Sequence, residues 1–247
     1  MKKWLTLGAV VIALYLCFLL IKLPAAFVAN WVTIPPHISV TDIQGSIWQP
    51  KIGSVTVNGT RIEKINLNVR FLSLLSFNPT IDVTFGDPNL SPIDGFASVS
   101  HLFSQPIISN VEMNLPAALI AKHIPTPVAV SAHRYINVNI EKFQAAKPVC
   151  QQLSGSVTWP NAAVTVLAQK VTLGDLTGEL SCQQGEAVLN VNGDNDIGLT
   201  FTVNIGANGY AYGNGYIAPT SKTPKAIMQV LPMVSKQDSQ GRFPLRF

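Results

Sequence analysis

The fold is decided by the stretch Ile65-Asn66-Leu67-Asn68-Val69-Arg70-Phe71, in which apolar and polar side chains alternate without interruption. Successive side chains of a strand point to opposite faces of a sheet, so this period of two indicates a half-buried β-strand. The same alternation recurs in Ile136-Asn137-Val138-Asn139-Ile140-Glu141 and in Leu199-Thr200-Phe201-Thr202-Val203-Asn204-Ile205. About ten to twelve strands can be counted in this way, which predicts an all-β fold of curved antiparallel sheets.

Turn and helix signals lie between the predicted strands. Asn58-Gly59 stands between two β-prone runs, as a type I′ hairpin requires. Two segments break the β pattern and are predicted to be short helices. The first covers 116–124, and the second covers 223–231, with Thr223 as N-cap and Pro232 as its stop.

An uncharged, strongly apolar run extends from Trp4 to Ile21. As a helix that rises about 1.5 Å per residue, it nearly spans the roughly 30 Å hydrocarbon core of a bilayer. Lys22 can reach the far interface and extend the usable length. Because Lys2 and Lys3 precede the run, the positive-inside rule predicts a cytosolic N-terminus and an exported remainder.

The alternative for this run is a cleaved signal peptide, whose apolar region covers about 7–15 residues and ends at a small-x-small site. The run here is longer, and cleavage after Ala29 would place Phe27 where a small residue is needed. We therefore predict an uncleaved anchor. The predicted organisation is a cytosolic start at 1–3, a transmembrane helix at 4–23 and a periplasmic β domain at 30–247, with two lobes that meet near 116–127.

The charge distribution argues against nucleic-acid binding. Three of the 17 Lys and Arg residues lie in the N-terminal segment, and the other 14 face 13 Asp and Glu. Binding to a phosphate backbone needs clustered cations, and no such cluster is present in the sequence. Charged residues make up only 12% of the chain, about half the usual share. A surface so poor in charge is typical of one that a membrane, a partner or a ligand covers.

The chain has three cysteines. Cys17 lies in the apolar run, where it can serve as a small apolar side chain. Cys150 and Cys182 lie in the exported part, and in an oxidising compartment such a pair predicts a disulfide. The bridge would stabilise the fold by about 3–4 kcal/mol. No histidine or further cysteine stands at metal-ligand spacing from either, so no metal site is expected.

No catalytic constellation is recognisable in the sequence. It contains no HExxH, GxSxG or Walker motif. The four histidines are scattered, without a nearby acid or cysteine at ligand spacing: His37, His101, His123 and His133. We therefore predict a protein that is not an enzyme and that needs no cofactor.

Three elements carry a family resemblance: Gly45-Ser46-Ile47-Trp48-Gln49-Pro50, Cys150-Gln151-Gln152-Leu153-Ser154-Gly155-Ser156-Val157-Thr158-Trp159-Pro160-Asn161-Ala162, and Gly241-Arg242-Phe243-Pro244-Leu245. In their order and spacing they resemble protein N of the bacterial type II (general) secretion pathway. Pro50 departs from the glycine that is usual in that family. The resemblance implies structural roles for the motif residues Gly45, Trp48, Gly155, Trp159, Gly241 and Arg242.

The resemblance also implies a function. It suggests a non-enzymatic inner-membrane component of type II secretion, in contact with other secretion subunits of the inner membrane and periplasm, that supports export of folded periplasmic proteins across the outer membrane. The start of the β domain is similar to AsmA-like proteins as well, which form open β-grooves. The alternative is therefore a periplasmic groove that handles lipid. We expect Trp48 and Trp159 to lie in the core rather than on a binding surface.

Overall fold

The structure is a computed structural model that describes residues 2–31, 38–57, 59–75, 78–87, 92–102, 104–122, 128–206 and 210–246. Within these ranges it does not describe the side chains of Lys2, Lys3, Leu5, Ala9, Cys17, Leu74 and Leu75. The roles predicted for Lys2, Lys3 and Cys17 therefore lie outside the described residues, as do Asn58, His37 and His123. The chain divides into two compact units, Met1–Asp94 and Gly95–Phe247.

Five helices are present in the described residues. They are α1 (Lys2–Lys22), α2 (Ala25–Ala29), α3 (Phe71–Leu75), α4 (Ala117–Ala121) and α5 (Lys225–Val234). The two helices predicted around 116–124 and 223–231 correspond to α4 and α5. Judged on the residues that the structure describes, none of the helices is both long and apolar enough to cross a membrane.

The first unit is built on antiparallel strands that follow the order of the sequence. They are β1 (Ile38–Ser46), β2 (Gln49–Val57), β3 (Thr60–Val69) and β4 (Ile81–Phe85). Val57 pairs with Thr60 across the β2–β3 turn, where Gly59 has a φ of 83°. This positive φ is the conformation that the predicted type I′ turn requires of glycine. The alternating strand predicted over 65–71 ends at Val69, because Phe71 opens α3 instead.

The second unit holds the longer strands. They are β5 (Asp94–Ser100), β6 (Ile107–Pro116), β7 (Val130–His133), β8 (Tyr135–Ala145), β9 (Cys150–Val166), β10 (Gln169–Gln183), β11 (Glu186–Val191), β12 (Leu199–Ile205), β13 (Ala211–Ile217) and β14 (Phe243–Arg246). From β5 to β14 they pair in sequence order, except that β7 leaves this path and pairs with β9. The described residues thus form fourteen strands rather than ten to twelve. The additional ones include β7 and β14, whose four residues are too few to show a period of two.

Part of the core of the second unit lies between the sheet and α5. Ala226, Val230 and Leu231 are the buried side chains of this helix, and a spacing of four residues places Ala226 and Val230 on one face. Ala226 and Val230 pack against Val166 at the end of β9. Burial of this apolar face, rather than the propensity of a ten-residue helix, stabilises α5.

The ends of α5 differ from the prediction. Pro224, with φ −60° and ψ 139°, occupies the N-cap position that was predicted for Thr223. The hydroxyl of Thr223 instead accepts a hydrogen bond from the backbone N–H of Thr220 at 2.8 Å. Pro232 lies inside the helix, which continues to Val234.

The predicted junction of lobes near 116–127 lies within the second unit, and residues 123–127 of it are outside the described residues. The division found from the structure falls after Asp94. Two lobes that meet near 116–127 stay a prediction.

Candidate functional site

The structure joins Cys150 and Cys182 by a disulfide, with their Cα atoms 6.1 Å apart. Cys150 opens β9 and Cys182 lies near the end of β10, two strands that pair along most of their length. Because the two strands are antiparallel, the start of β9 lies beside the end of β10, and the bridge joins them there. Cys150 is 2% exposed, which shields the bridge from solvent on that side.

The first tryptophan element turns the chain from β1 into β2. Gly45 has a φ of 82°, and a Cβ there would come within 2.5 Å of the Gln49 carbonyl oxygen, so only glycine fits. Trp48 follows in the turn, and its indole Nε1–H donates to the Leu20 carbonyl oxygen at 3.0 Å. This acceptor lies in the last turn of α1, so the element links the β1–β2 turn to the end of the helix.

Two further bonds secure the same junction. The backbone N–H of Ile47 donates to the Leu23 carbonyl at 3.0 Å, and Pro24 forms an antiparallel bridge with Ser46. The half-buried Trp48 ring meets the ring of Phe71 edge-on, with the centroids 5.9 Å apart. Trp48 therefore contacts both α1 and α3, and none of the buried clusters of the described residues contains it.

The second tryptophan element lies within β9. Gly155 pairs with Ile140 of β8 and Leu180 of β10, and a Cβ at this position would lie 2.3 Å from the Asn139 carbonyl oxygen. The glycine is thus needed for close approach of strands rather than for a positive φ. The Trp159 indole Nε1–H donates to the His133 carbonyl oxygen at 3.0 Å, and the half-buried ring packs against two buried apolar clusters.

The closing element lies beside α5. Gly241 has a φ of 79°. Arg242 donates from its backbone N–H and from Nε to the two oxygens of the Asp238 carboxylate, each at 2.8 Å. Its guanidinium carbon lies 4.5 Å from the centre of the Tyr216 ring, a cation–π arrangement. The backbone N–H of Arg242 is the main cause that lowers the pKa of Asp238, and the guanidinium and the N–H of Gln240 add to it against the effect of burial.

An apolar pocket opens beside α4 in the second unit. Its volume is about 180 Å³, and Trp159 forms part of its wall. The other lining residues are small or aliphatic: Ala117, Ile120, Ala121, Val130, Ala132, Ile136 and Val164. Such a pocket can take an alkyl chain or an apolar side chain, but it offers no group for acid–base or nucleophilic chemistry.

The titratable groups of the described residues form no metal-binding cluster. Asp194 and Asp196 lie at a β-turn, where Asp196 accepts from the Lys222 ammonium at 2.9 Å and so is held as an ion pair. That partner raises the pKa of Lys222. His133 and His101 each hydrogen-bond to a nearby hydroxyl, of Thr165 and Ser100 respectively. These are structural arrangements rather than a reactive centre.

The exposed apolar surface around α3 is not predicted by the sequence pattern. Phe71 is 63% exposed and Leu72 is 78% exposed, although Phe71 contacts Trp48. The only signal for it in the sequence is two adjacent apolar residues where a strictly alternating strand should place one.

The fold and the site together define a class: an antiparallel β protein in which the motif residues link one helix, strand or turn to another. The chain belongs to the type II secretion system protein N family, whose model matches residues 36–246. The similarity extends over the whole chain in individual relatives. A type II secretion system protein N of Aeromonas hydrophila is 26% identical, with 100% of this chain and 98% of that protein covered.

Other relatives carry the same name. The protein of Vibrio cholerae is 23% identical over 99% of this chain and 97% of its own, and that of Klebsiella pneumoniae is 24% identical over 100% and 96%. No solved structure matches this chain. The family resemblance recognised in the sequence is therefore confirmed, and the chain has a role in type II secretion.

Proposed function

We propose that this chain is a non-enzymatic inner-membrane component of the type II secretion machinery, which supports export of folded proteins from the periplasm across the outer membrane. The observation that carries the proposal is the match to secretion protein N over residues 36–246. The described ion pair of Arg242 with Asp238 and that of Lys222 with Asp196 both hold turns in place, which fits a protein that works through contacts with other secretion subunits of the inner membrane and periplasm.

The anchor is part of this proposal. In the sequence, the run from Trp4 to Ile21 has no charged residue. Counted on the sequence, which includes side chains that the structure does not describe, this run has 18 residues. As a helix it would rise about 27 Å at 1.5 Å per residue, close to the roughly 30 Å hydrocarbon core. Lys2 and Lys3 before the run favour a cytosolic start, with the β-strands in the periplasm.

A deletion strain tests the proposal. Exported substrates should accumulate folded in the periplasm, while their transport across the inner membrane continues. The deletion is complemented with the wild-type chain, with residues 30–247 behind an unrelated anchor, and with residues 30–247 behind a cleavable signal peptide. Rescue by the first two chains and not by the third supports a membrane-tethered secretion component. Unchanged secretion in the deletion strain would contradict the proposal.

The second candidate, an AsmA-like groove that handles lipid, is favoured by the apolar pocket beside α4. A bulky polar substitution in its wall, Ala132→Gln, would fill the pocket, since Ala132 is 8% exposed. The matched control is Ser131→Gln, because Ser131 is exposed on the same strand. A permeable outer membrane with normal secretion in the Ala132→Gln strain would favour the lipid function. A secretion defect without a change in permeability would favour the first proposal.

A further inference from the structure

The end of α1 is surrounded by apolar side chains that the first unit leaves in solvent. Phe71 and Leu72 on α3 are 63% and 78% exposed. Phe27 and Trp31, on and just after α2, are 55% and 80% exposed, with their ring centres 6.0 Å apart. Soluble proteins seldom leave several large apolar residues exposed in one region unless that region is an interaction surface.

Trp48 fixes this region to a defined level of α1. The last four carbonyls of a helix have no partner within the helix, and the carbonyl of Leu20 is one of them in α1. The indole N–H of Trp48 supplies the missing donor at 3.0 Å. In the hydrocarbon core of a bilayer an unsatisfied carbonyl is unfavourable, because no water reaches it. The hydrogen bond from Trp48 therefore stabilises the end of α1 most if that end lies in lipid.

The position of Leu20 places the surrounding side chains at the membrane boundary. Leu20 precedes Lys22 by two residues, about 3 Å along the helix. The headgroup region on each side of the hydrocarbon core is roughly 5–8 Å thick. Trp48, and Phe71 in edge contact with it, therefore lie at the depth where tryptophan and other aromatic rings are enriched in membrane proteins.

The chain between α1 and β1 has the same character. From residue 23 to residue 41 the sequence contains no Lys, Arg, Asp or Glu. Phe27 is only five residues beyond Lys22, so α2 cannot extend far from the end of α1. An uncharged segment with exposed aromatic rings suits the boundary between lipid tails and headgroups better than it suits water.

We infer that Trp48, Phe71 and Leu72, together with Phe27 and Trp31, form a membrane-contacting collar that docks the first unit on the periplasmic leaflet of the bilayer. The inference rests on the anchor proposed above and deepens it. The occupant of the surface is phospholipid at the level of the headgroups and first methylenes. The collar would fix the direction in which the β1–β2 hairpin leaves the membrane, because Trp48 belongs to both.

Single-cysteine labelling of the full chain tests the collar. In a Cys17→Ser background, with Cys150 and Cys182 joined as the disulfide, one cysteine is introduced at Leu72, Ile12 or Arg61 and labelled with the fluorophore NBD. Each protein is reconstituted into vesicles of phosphatidylcholine and phosphatidylglycerol, with and without bromine on the acyl chains. Bromine quenches only fluorophores that contact lipid tails.

The controls are chosen from the structure. Ile12 lies in the middle of α1 and reports the anchor itself. Arg61 is exposed on the same unit and pairs with Thr56, seven residues from Gln49 on β2. At about 3.3 Å per residue, Arg61 is roughly 23 Å along the strand from the Trp48 end. Circular dichroism checks that each labelled variant is folded.

Four outcomes are distinguishable. Loss of most emission at Leu72→Cys and Ile12→Cys, with Arg61→Cys unchanged, supports the collar. Quenching at Ile12→Cys alone overturns the collar and leaves the anchor intact. No quenching at Ile12→Cys contradicts the anchor and with it the collar. Equal quenching at all three positions indicates general adsorption of the unit and overturns the collar.

Discussion

The two tryptophan elements, one in each unit, use the same bond for different purposes. Trp48 and Trp159 each donate an indole N–H to a backbone carbonyl oxygen at 3.0 Å. The acceptor of Trp48 lies in the last turn of α1, and its ring touches the exposed Phe71. The acceptor of Trp159 is His133 on β7, and its ring packs against two buried clusters. The first element attaches a helix, whereas the second closes a core.

The glycines of the two elements differ in the same way. Gly45 is needed for its positive φ at a turn, while Gly155 is needed because β8 approaches β9 closely. A local Gly-to-Trp pattern therefore does not specify a local structure. What differs is the element that each indole reaches, and this is set by strands far away in the sequence.

The largest expected difference between the two units comes from removal of the disulfide, which lies in the second unit alone. With its ends 32 positions apart in the sequence, the bridge should contribute about 3–4 kcal/mol. In a Cys150→Ser/Cys182→Ser chain, hydrogen exchange of amides in β9 and β10 should accelerate strongly, while exchange in β2 and β3 stays unchanged. Cys17→Ser is the control. Equal acceleration in both units would show that their stabilities are not separate.

Alanine substitution of the two tryptophans tests whether each ring stabilises the core or links one element to another. A fully buried tryptophan costs about 3–5 kcal/mol when it is replaced by alanine, and the half-buried Trp159 should cost about 2–3 kcal/mol in denaturant unfolding of the full chain in detergent. Trp48→Ala should cost less than about 1 kcal/mol, since its ring adjoins exposed side chains. A cost for Trp48→Ala as large as that for Trp159→Ala would place Trp48 in the core after all.

Much of the fold could be predicted from the sequence where a strand has one apolar face and one polar face. β3, β8 and β12 each contain the alternating stretch predicted for them, except that β3 ends at Val69. β9 and β10, of 17 and 15 residues, do not follow such an alternation throughout, because their pairing shifts register near Gly174 and the period of two is lost there. Long-range pairing decides such strands, and a local pattern does not contain it.

The site was less predictable than the fold. The Cys150–Cys182 bridge followed from composition and compartment alone. The bond of Trp48 joins residues 28 positions apart and depends on how the β1–β2 hairpin returns to the end of α1. No local pattern contains that information, so the helix-end contact and the exposed residues of α3 became visible only in the structure.

A smaller effect compares three indole N–H groups directly. A hydrogen bond worth about 1 kcal/mol slows exchange about fivefold, so the indoles of Trp159 and Trp48 should exchange more slowly than that of Trp31, which is 80% exposed. Nitrogen-15 spectra of the full chain, assigned with Trp→Phe variants, measure the rates. Trp159 should be the slowest, because its acceptor is part-buried. Exchange of Trp48 as fast as that of Trp31 would contradict its bond to α1.

The smallest effect separates the closing element, which contains the ion pair of Arg242 with Asp238, from both tryptophan elements, whose indoles make neutral hydrogen bonds. The pKa of Asp238 is lowered in the folded protein, first by the backbone N–H of Arg242 and then, against the effect of burial, by its guanidinium. A carboxyl with a depressed folded pKa adds stability above its unfolded pKa of about 3.9 and loses that contribution as the pH falls through the folded value.

Carbon-13 titration of the Asp238 carboxyl should therefore give a midpoint below about 3.9. Arg242→Gln should move this midpoint only part of the way back, because the backbone N–H remains, whereas a variant that opens the turn, Gly241→Val, should restore it more fully since φ is 79° there. A complete return to the ordinary value in Arg242→Gln would show that the guanidinium charge, and not the turn, sets the pKa.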